Sequence, residues 1–302
     1  MAMMISENWA QLLEPGLRSI FTTTYGSLAA SSRIPMLFNV VSSNKAQEHD
    51  LGFGTFGNWT EYEGAIEYDK ANQGYKTTYT HVEFSRGFTV ERKLVDDDQY
   101  NIISKMPANL AIGAYRKREI DAASVFNNAF SSSYTGADSV SLCNDSHPLS
   151  PVNSTVVDNA GSTALSYSAV LATRQLMRAY VDDRNQLIPI NPNMLIVPPE
   201  LEDTAIDIVK TVGEPSTADN SVNAVREHGI DYVVWDYLTD SNNWFMVDSG
   251  LMKQFLNWFD RVPLEFAMNP TSEYDLEAKY RGYMRYSYGW SDWRWVYGHA
   301  VT

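Results

Sequence analysis

The stretch Lys76-Thr77-Thr78-Tyr79-Thr80-His81-Val82-Glu83-Phe84-Ser85-Arg86-Gly87-Phe88-Thr89-Val90-Glu91-Arg92 decides the architecture. Val82, Phe84, Phe88 and Val90 fall in phase, with Glu83 and Arg86 among the flanking polar residues. A two-residue period predicts a strand with one apolar face. Residues 60–69 read the same way, with Tyr62, Ile66 and Tyr68 on one face and Glu61, Glu63 and Glu67 on the other. Ala71-Asn72-Gln73-Gly74 between them supplies turn chemistry. The expectation is a long β-hairpin. Such a ribbon has no core of its own and must lie on another surface.

Upstream, Trp9 to Ile20 has helical character, Pro15 interrupts it, and Thr22 to Ser32 is rich in Thr and Ser. This end reads either as a frayed terminus or as an arm that docks elsewhere. Downstream, residues 96–131 predict a long helix with Ile103, Met106, Leu110, Ala114, Ile120, Val125 and Phe130 as its stripe. Asp96, Asp97 and Asp98 suit a helix start, and Pro107 kinks the helix or marks its first turn. Arg116, Lys117, Arg118 and Glu119 are expected to face outward or partly outward.

Residues 140–166 read as a surface loop and Ser166 to Asp182 as an amphipathic helix. Met194 to Val197 predicts a buried strand, and Pro198-Pro199-Glu200 starts a helix that reaches Lys210. Ile230 to Leu238 and Trp244 to Val247 predict strands, and Leu251 to Phe259 a short helix. From Leu276 the chain alternates aromatic residues through Trp290. Ser291-Asp292 then breaks the phase, and Trp293, Trp295 and Tyr297 continue on the odd numbers. That aromatic excess predicts a strand covered on both sides or lying at a subunit contact.

The 302 residues carry 23 Lys+Arg against 37 Asp+Glu, a formal net charge of −14. That balance argues against a protein that grips nucleic acid by neutralising phosphates. One cysteine, Cys143, excludes an internal disulfide and any multi-cysteine zinc site. The first residues lack the basic start and apolar run of a secretory signal, and Asn185 to Pro199 is too proline-rich to span a membrane.

Three motifs invite chemistry. Gly52-x-Gly54-x-x-Gly57 matches a dinucleotide fingerprint but lacks the strand before it and the helix after it. Cys143-Asn144-Asp145-Ser146-His147 places a thiol, a carboxylate and an imidazole together in sequence, whereas a hydrolase needs them to converge in space. Asp96–Asp98 and Asp182-Asp183 lack the spacing of a calcium loop and read as caps or solvated charge. No catalytic residue, metal ligand or cofactor site is assigned.

The order of elements, with residues 88–98 (FTVERKLVDDD), 193–202 (NMLIVPPELE) and 286–299 (YSYGWSDWRWVYGH), resembles the major capsid proteins of tailed bacteriophages. Within them it is most similar to the Mu-like major head subunit family. The resemblance implies an α+β shell fold. Residues 1–44 would be an N-terminal arm and 45–92 an extended E-loop hairpin. Residues 93–199 would be a P-domain with a long spine helix, 200–275 an A-domain, and 276–302 C-terminal strands returning to the P-domain. It implies self-assembly as pentamers and hexamers into an icosahedral shell around double-stranded DNA that is enclosed without tight specific binding. It further implies a portal, a separate scaffolding protein, a decoration protein in some particles, assembly in the host cytoplasm, and no membrane. Trp59, Tyr62, Tyr68, Arg86, Arg116, Lys117 and Arg118 become candidate intersubunit contacts, the basic residues pairing with acids such as Glu61, Glu63 and Glu67 of a neighbour. Lys70 and Lys76 lack an identifiable partner for a covalent cross-link. Three other readings compete: an encapsulin-like compartment shell, a Cys/His hydrolase on the 143–147 loop, and a glycan-binding adhesin suggested by the aromatics.

Overall fold

The computed structural model describes residues 9–64, 66, 68–97, 102–215, 221–268 and 277–302. Helices α1 (Trp9–Ala29) and α2 (Ile34–Leu37) lead to strands β1 (Asn39–Ser42), β2 (Gln47–Phe53), β3 (Gln73–Thr80) and β4 (Val82–Glu91). Helices α3 (Arg92–Asp96) and α4 (Ile102–Asn127) follow, then β5 (His147–Ser150), β6 (Asn153–Val157), β7 (Ala160–Gly161), helix α5 (Tyr167–Met177) and β8 (Met194–Val197). A single 3₁₀ turn opens α6 (Glu202–Lys210); α7 (Ala224–Glu227), β9 (Asp231–Val234), β10 (Trp244–Val247), α8 (Ser249–Phe255), β11 (Leu256–Met268), β12 (Glu277–Trp290) and β13 (Val296–His299) complete the chain.

Two sheets carry the core. One has the order β1-β11-β12-β4, the other β7-β13-β10-β8-β9. The aromatic alternation of β12 buries Ala278, Tyr280, Met284 and Tyr286. The phase break at Ser291-Asp292 is where the chain leaves the first sheet and enters the second as β13. Trp293, Trp295 and Tyr297 all enter the core there. The second sheet takes β8 from before residue 200 and β9 and β10 from after it.

The hairpin is built differently from the expectation. Residues 60–69 form no strand among the described residues, and Glu67 lies outside them. The partner of β3 is β2, in register from Gln47↔Thr80 to Phe53↔Gln73. That register leaves 54–72 as the distal loop, where no facing strand completes a ladder. At His81 the chain changes partner: β4 pairs antiparallel with β12, from Val82↔Tyr286 to Glu91↔Glu277.

Helix α1 extends through the Thr/Ser segment and contains Pro15. Leu13, Leu17, Phe21 and Tyr25 recur every four residues and make one stripe. Leu17 and Phe21 are buried in a cluster with Val90, Ile103, Ala111, Phe266 and Tyr280. Tertiary packing thus outweighs weak helix formers, and the described part of the N-terminal segment docks on its own chain. Strand β11 was not legible because Pro263 argues against a strand. The proline sits where the β11–β12 register shifts, between Val262 and Glu265, so no ladder bond is required of it.

Helix α4 departs from the outward reading at Arg118 and Glu119, whereas Arg116 is exposed and Lys117 partly so. Glu119 is 1% exposed. Its carboxylate accepts from the Ser32 hydroxyl and, at 3.1 Å, from Trp235 Nε1. The Arg118 guanidinium donates twice to Asp260, each bond 3.0 Å, and lies over the Trp258 ring at 5.0 Å. Tyr286 donates to Asp121 at 2.7 Å, and Lys117 donates to the other oxygen at 2.6 Å. These bonds tie α4 to β11 and β12. Because the Arg118 side chain is only 12% exposed, Arg118→Ala leaves Asp260 without its counter-charge in a largely dry site. It should cost about 3 kcal/mol in urea unfolding. Arg118→Lys should recover only part, since lysine cannot make the two-pronged bond.

His299 joins the second sheet to α5. The Thr163 amide donates to Nδ1 at 3.2 Å, so Nδ1 carries the lone pair. The protonated Nε2 then donates to Thr173 Oγ1 at 2.8 Å, which in turn donates to the Ala169 carbonyl. The ring stacks on Trp244 at 4.1 Å. Burial lowers its pKa to about 4. A depressed imidazole contributes stability above its unfolded pKa, near 6.5, and loses it as pH falls toward the folded value. Denaturation midpoints should therefore drop between pH 6.5 and 4, and His299→Phe should be less stable at pH 7 yet flatter across that window.

Candidate functional site

Residues 54–72 form the most apolar exposed segment that the fold leaves uncovered. Phe56 and Tyr62 are largely exposed, Tyr68 is 89% exposed and Trp59 fully so. Ile66 and, at the end of β2, Phe53 add to the same surface. Large apolar side chains left bare in this number mark an interaction surface. Glu61 and Glu63 are exposed among them.

The base of this loop is held. The Thr55 amide donates to Asp183 at 2.9 Å, and its hydroxyl contacts Asp182 at 2.6 Å and Asp183 at 2.8 Å. Arg184 returns the contact: Nε donates to the Thr55 carbonyl, and one terminal nitrogen donates to Asp69 and to the Lys70 carbonyl, all at 2.9 Å. Hydrogen bonds from the Gly57 amide and then from Arg184 hold the Asp69 carboxyl below its ordinary range. Burial would raise Asp182, but donation from Thr55 and from the Gln186 and Arg184 amides wins and lowers it.

The glycine pattern at 52, 54 and 57 serves this clamp. A Cβ on Gly54 would stand 2.3 Å from an Asp183 oxygen. The backbone thus approaches a carboxylate of its own chain, not a pyrophosphate. The pair Asp182-Asp183 acts as the acceptor for Thr55. Asp98 of the other acidic run lies outside the described residues.

The sequence candidates separate in space. Trp59, Tyr62 and Tyr68 share the loop. Arg86, Arg116 and Lys117 line an open groove of about 950 Å³ between β4 and α4, floored by Phe84, Leu110 and Met284. Arg86 and Arg116 are exposed, and Lys117 is half-exposed over the Phe84 ring at 4.8 Å. Arg118 departs from this set. Its guanidinium is committed to Asp260 of its own subunit, so pairing with a neighbour's acids is corrected for that residue. Sequence reasoning missed the clamp of Arg184 and Asp69, because residues so far apart in the chain show no local pattern.

The hydrolase candidate dissolves. Cys143 is buried, its Sγ close beside Gly298 and Phe130, and burial pushes the thiol up. His147 instead bonds Asp138 at 2.7 Å and stacks on Trp293 at 4.4 Å. A buried, protonated thiol is no nucleophile, and the histidine of the motif is engaged with other partners. Among the described residues no cluster of three or more His, Cys, Asp or Glu could hold a metal ion, and no helix is long and apolar enough to cross a membrane.

A family model described as phage capsid protein matches residues 74–298. The chain belongs to that family, which makes it a shell protein and not an enzyme. The fold is that of tailed-phage major capsid subunits. Over 90% of this chain and 87% of the other, it superposes on a chain of the bacteriophage PhiM1 mature capsid at 11% identity with a TM-score of 0.57. A chain of the bacteriophage JBD30 capsid decorated with minor capsid protein trimers matches 69% of this chain and 91% of its own, at 14% identity and 0.55. The capsid of a native GTA particle matches 89% of both chains at 14% identity and 0.54. No curated protein matches the chain.

If Arg184 holds the loop base, Arg184→Ala should speed hydrogen exchange at the Thr55 and Gly57 amides on the order of tenfold. Because the Arg184–Asp69 pair is partly exposed, global stability should move by less than about 1 kcal/mol.

Proposed function

We propose that this chain is a Mu-like major head subunit whose copies close as pentamers and hexamers into an icosahedral shell. The observation that carries the assembly reading is the anchored, aromatic-tipped loop. Its base is tied down by six hydrogen bonds between Thr55, Asp69 or Lys70 and residues 182–184. Its tip exposes Trp59, Tyr62 and Tyr68. A single subunit gains nothing by exposing these rings, whereas burying them against a neighbour gains roughly 25 cal/mol per Å² of apolar area.

In this reading residues 45–92 are the E-loop, α4 is the spine, 1–44 is the arm, and the axial domain lies between 200 and 275. Residues 276–302 return to the spine side. The loop of one copy packs on the next. The groove beside Arg86, Arg116 and Lys117 supplies a rim of opposite sign to Glu61 and Glu63. Trp59, Tyr62 and Tyr68 then act as buried anchors. A portal, a separate scaffolding protein and a decoration protein complete the particle, as minor capsid trimers decorate the JBD30 capsid. Assembly takes place in the host cytoplasm. The net charge of −14 suits a wall that encloses double-stranded DNA without gripping it.

The test is assembly of purified subunits followed by electron microscopy. Shells or rings are the expected product, and a strictly monomeric species at high concentration, with scaffold and portal supplied, overturns the reading. The triple change Trp59→Ala, Tyr62→Ala and Tyr68→Ala should abolish closed particles. Its melting temperature should stay within a few degrees, since exposed side chains contribute little to the fold.

A further inference from the structure

Arg174 in helix α5 and Arg178, the residue that caps its C-terminus, stand one turn apart. Arg178 is exposed and Arg174 half-buried. The Arg174 Nε is shut from solvent with no hydrogen-bond partner. Neither guanidinium has an acidic partner among the described residues. His228, at the end of α7, completes the cluster. Desolvation and then the two arginines depress its pKa, and desolvation and then Arg178 lower that of Arg174. The two guanidiniums thus repel one another beside a histidine whose charged form they disfavour, in a chain whose acids outnumber Lys+Arg by 37 to 23.

The same domain carries the opposite charge elsewhere. Glu200, Glu202, Asp203 and Asp207 are exposed on α6 and the turn that opens it. Among the described residues none of the four is paired with a cation, while Lys210 of that helix is engaged with Asp231 at 3.7 Å. Helix α5 packs on β10 and β13, whereas α6 packs on β8 and β9. Arg174 and Arg178 at the end of α5 and the acidic run therefore sit over different halves of one five-stranded sheet, with α7 packed on both helices.

Two complementary patches at different places on one subunit suit a head-to-tail contact. A two-fold contact through either patch would set like charge against like. We infer that the basic pair Arg174 and Arg178 at the end of α5 meets the α6 acidic run, Glu200 to Asp207, of the next copy around a capsomer ring. The occupant is a second copy of this chain, since the partner it needs is an exposed acidic helix and every copy displays one. The contact rests on the shell reading and specifies which surfaces close the ring.

A charge exchange tests it. Arg174→Glu with Arg178→Glu should slow assembly, followed by light scattering, by at least about tenfold, with the circular-dichroism melt retained. Glu202→Arg with Asp203→Arg should do the same. All four changes together should restore most of the rate. Arg174→Gln with Arg178→Gln serves if the reversal fails to fold; it should slow assembly and weaken its dependence on salt. Lack of rescue in the fourfold variant, or normal assembly of either reversal, overturns the inference and leaves the shell reading standing. Normal shells of the arginine variants that lose packaged DNA would assign the pair to nucleic acid and also overturn it. If the unmodified chain never assembles, both readings fall.

Discussion

The structure depends on a charged turn of helix buried against an aromatic sheet. Lys117, Arg118, Glu119 and Asp121 stand on α4 where a hydrophobic stripe would be expected. Arg118, Glu119 and Asp121 are spent on Asp260, Trp235 and Tyr286, while the half-exposed Lys117 bonds Asp121. Buried ions are costly unless paired with good geometry, and the two-pronged Arg118–Asp260 bond supplies it. A greasy helix could slide on a greasy sheet. Here α4 is tied to β11 and β12 at one register, and the placement of β4, the loop beyond it and α1 follows from that register.

Much of this was legible and some was not, for identifiable reasons. The alternation through β12 appears in the sequence because one face is core while Glu277, Lys279 and Arg281 on the other are exposed, and its break at Ser291-Asp292 appears because the chain changes sheet beyond it. Met194–Val197 and the helix after Pro198 appear because local rules govern them: a short apolar run, a proline entry, acids in the first turn. Residues 60–69 misled because Tyr62, Ile66 and Tyr68, though exposed, imitate the pattern of residues for a core. Strand β2 (QEHDLGF) went unread because its side chains are mostly exposed and carry no alternation. Arg118 and Glu119 misled because charge in a helix ordinarily signals solvent. The clamp of Thr55, Asp69 and Arg184 joins residues more than a hundred positions apart, and no local pattern encodes such a contact.

Anchoring and exposure divide the labour within one segment. The loop base has hydrogen bonds enough to define a direction, and its tip has aromatic area that the subunit does not use. Pre-ordering lowers the entropy lost when the rings are buried by a neighbour. An acidic surface keeps free copies apart until complementary patches meet.

The passage from β12 to β13 has a mechanical meaning. One uninterrupted backbone is an inner strand of the first sheet, held between β11 and β4. It is then an inner strand of the second, held between β7 and β10. A wall stretched by pressurised contents would pull the two sheets apart along this backbone. The ladders on either side would be loaded in shear, so many hydrogen bonds must fail at once instead of unzipping singly. Tension would then run through the covalent bonds of residues 291–295, which join the two strands and have no ladder partners.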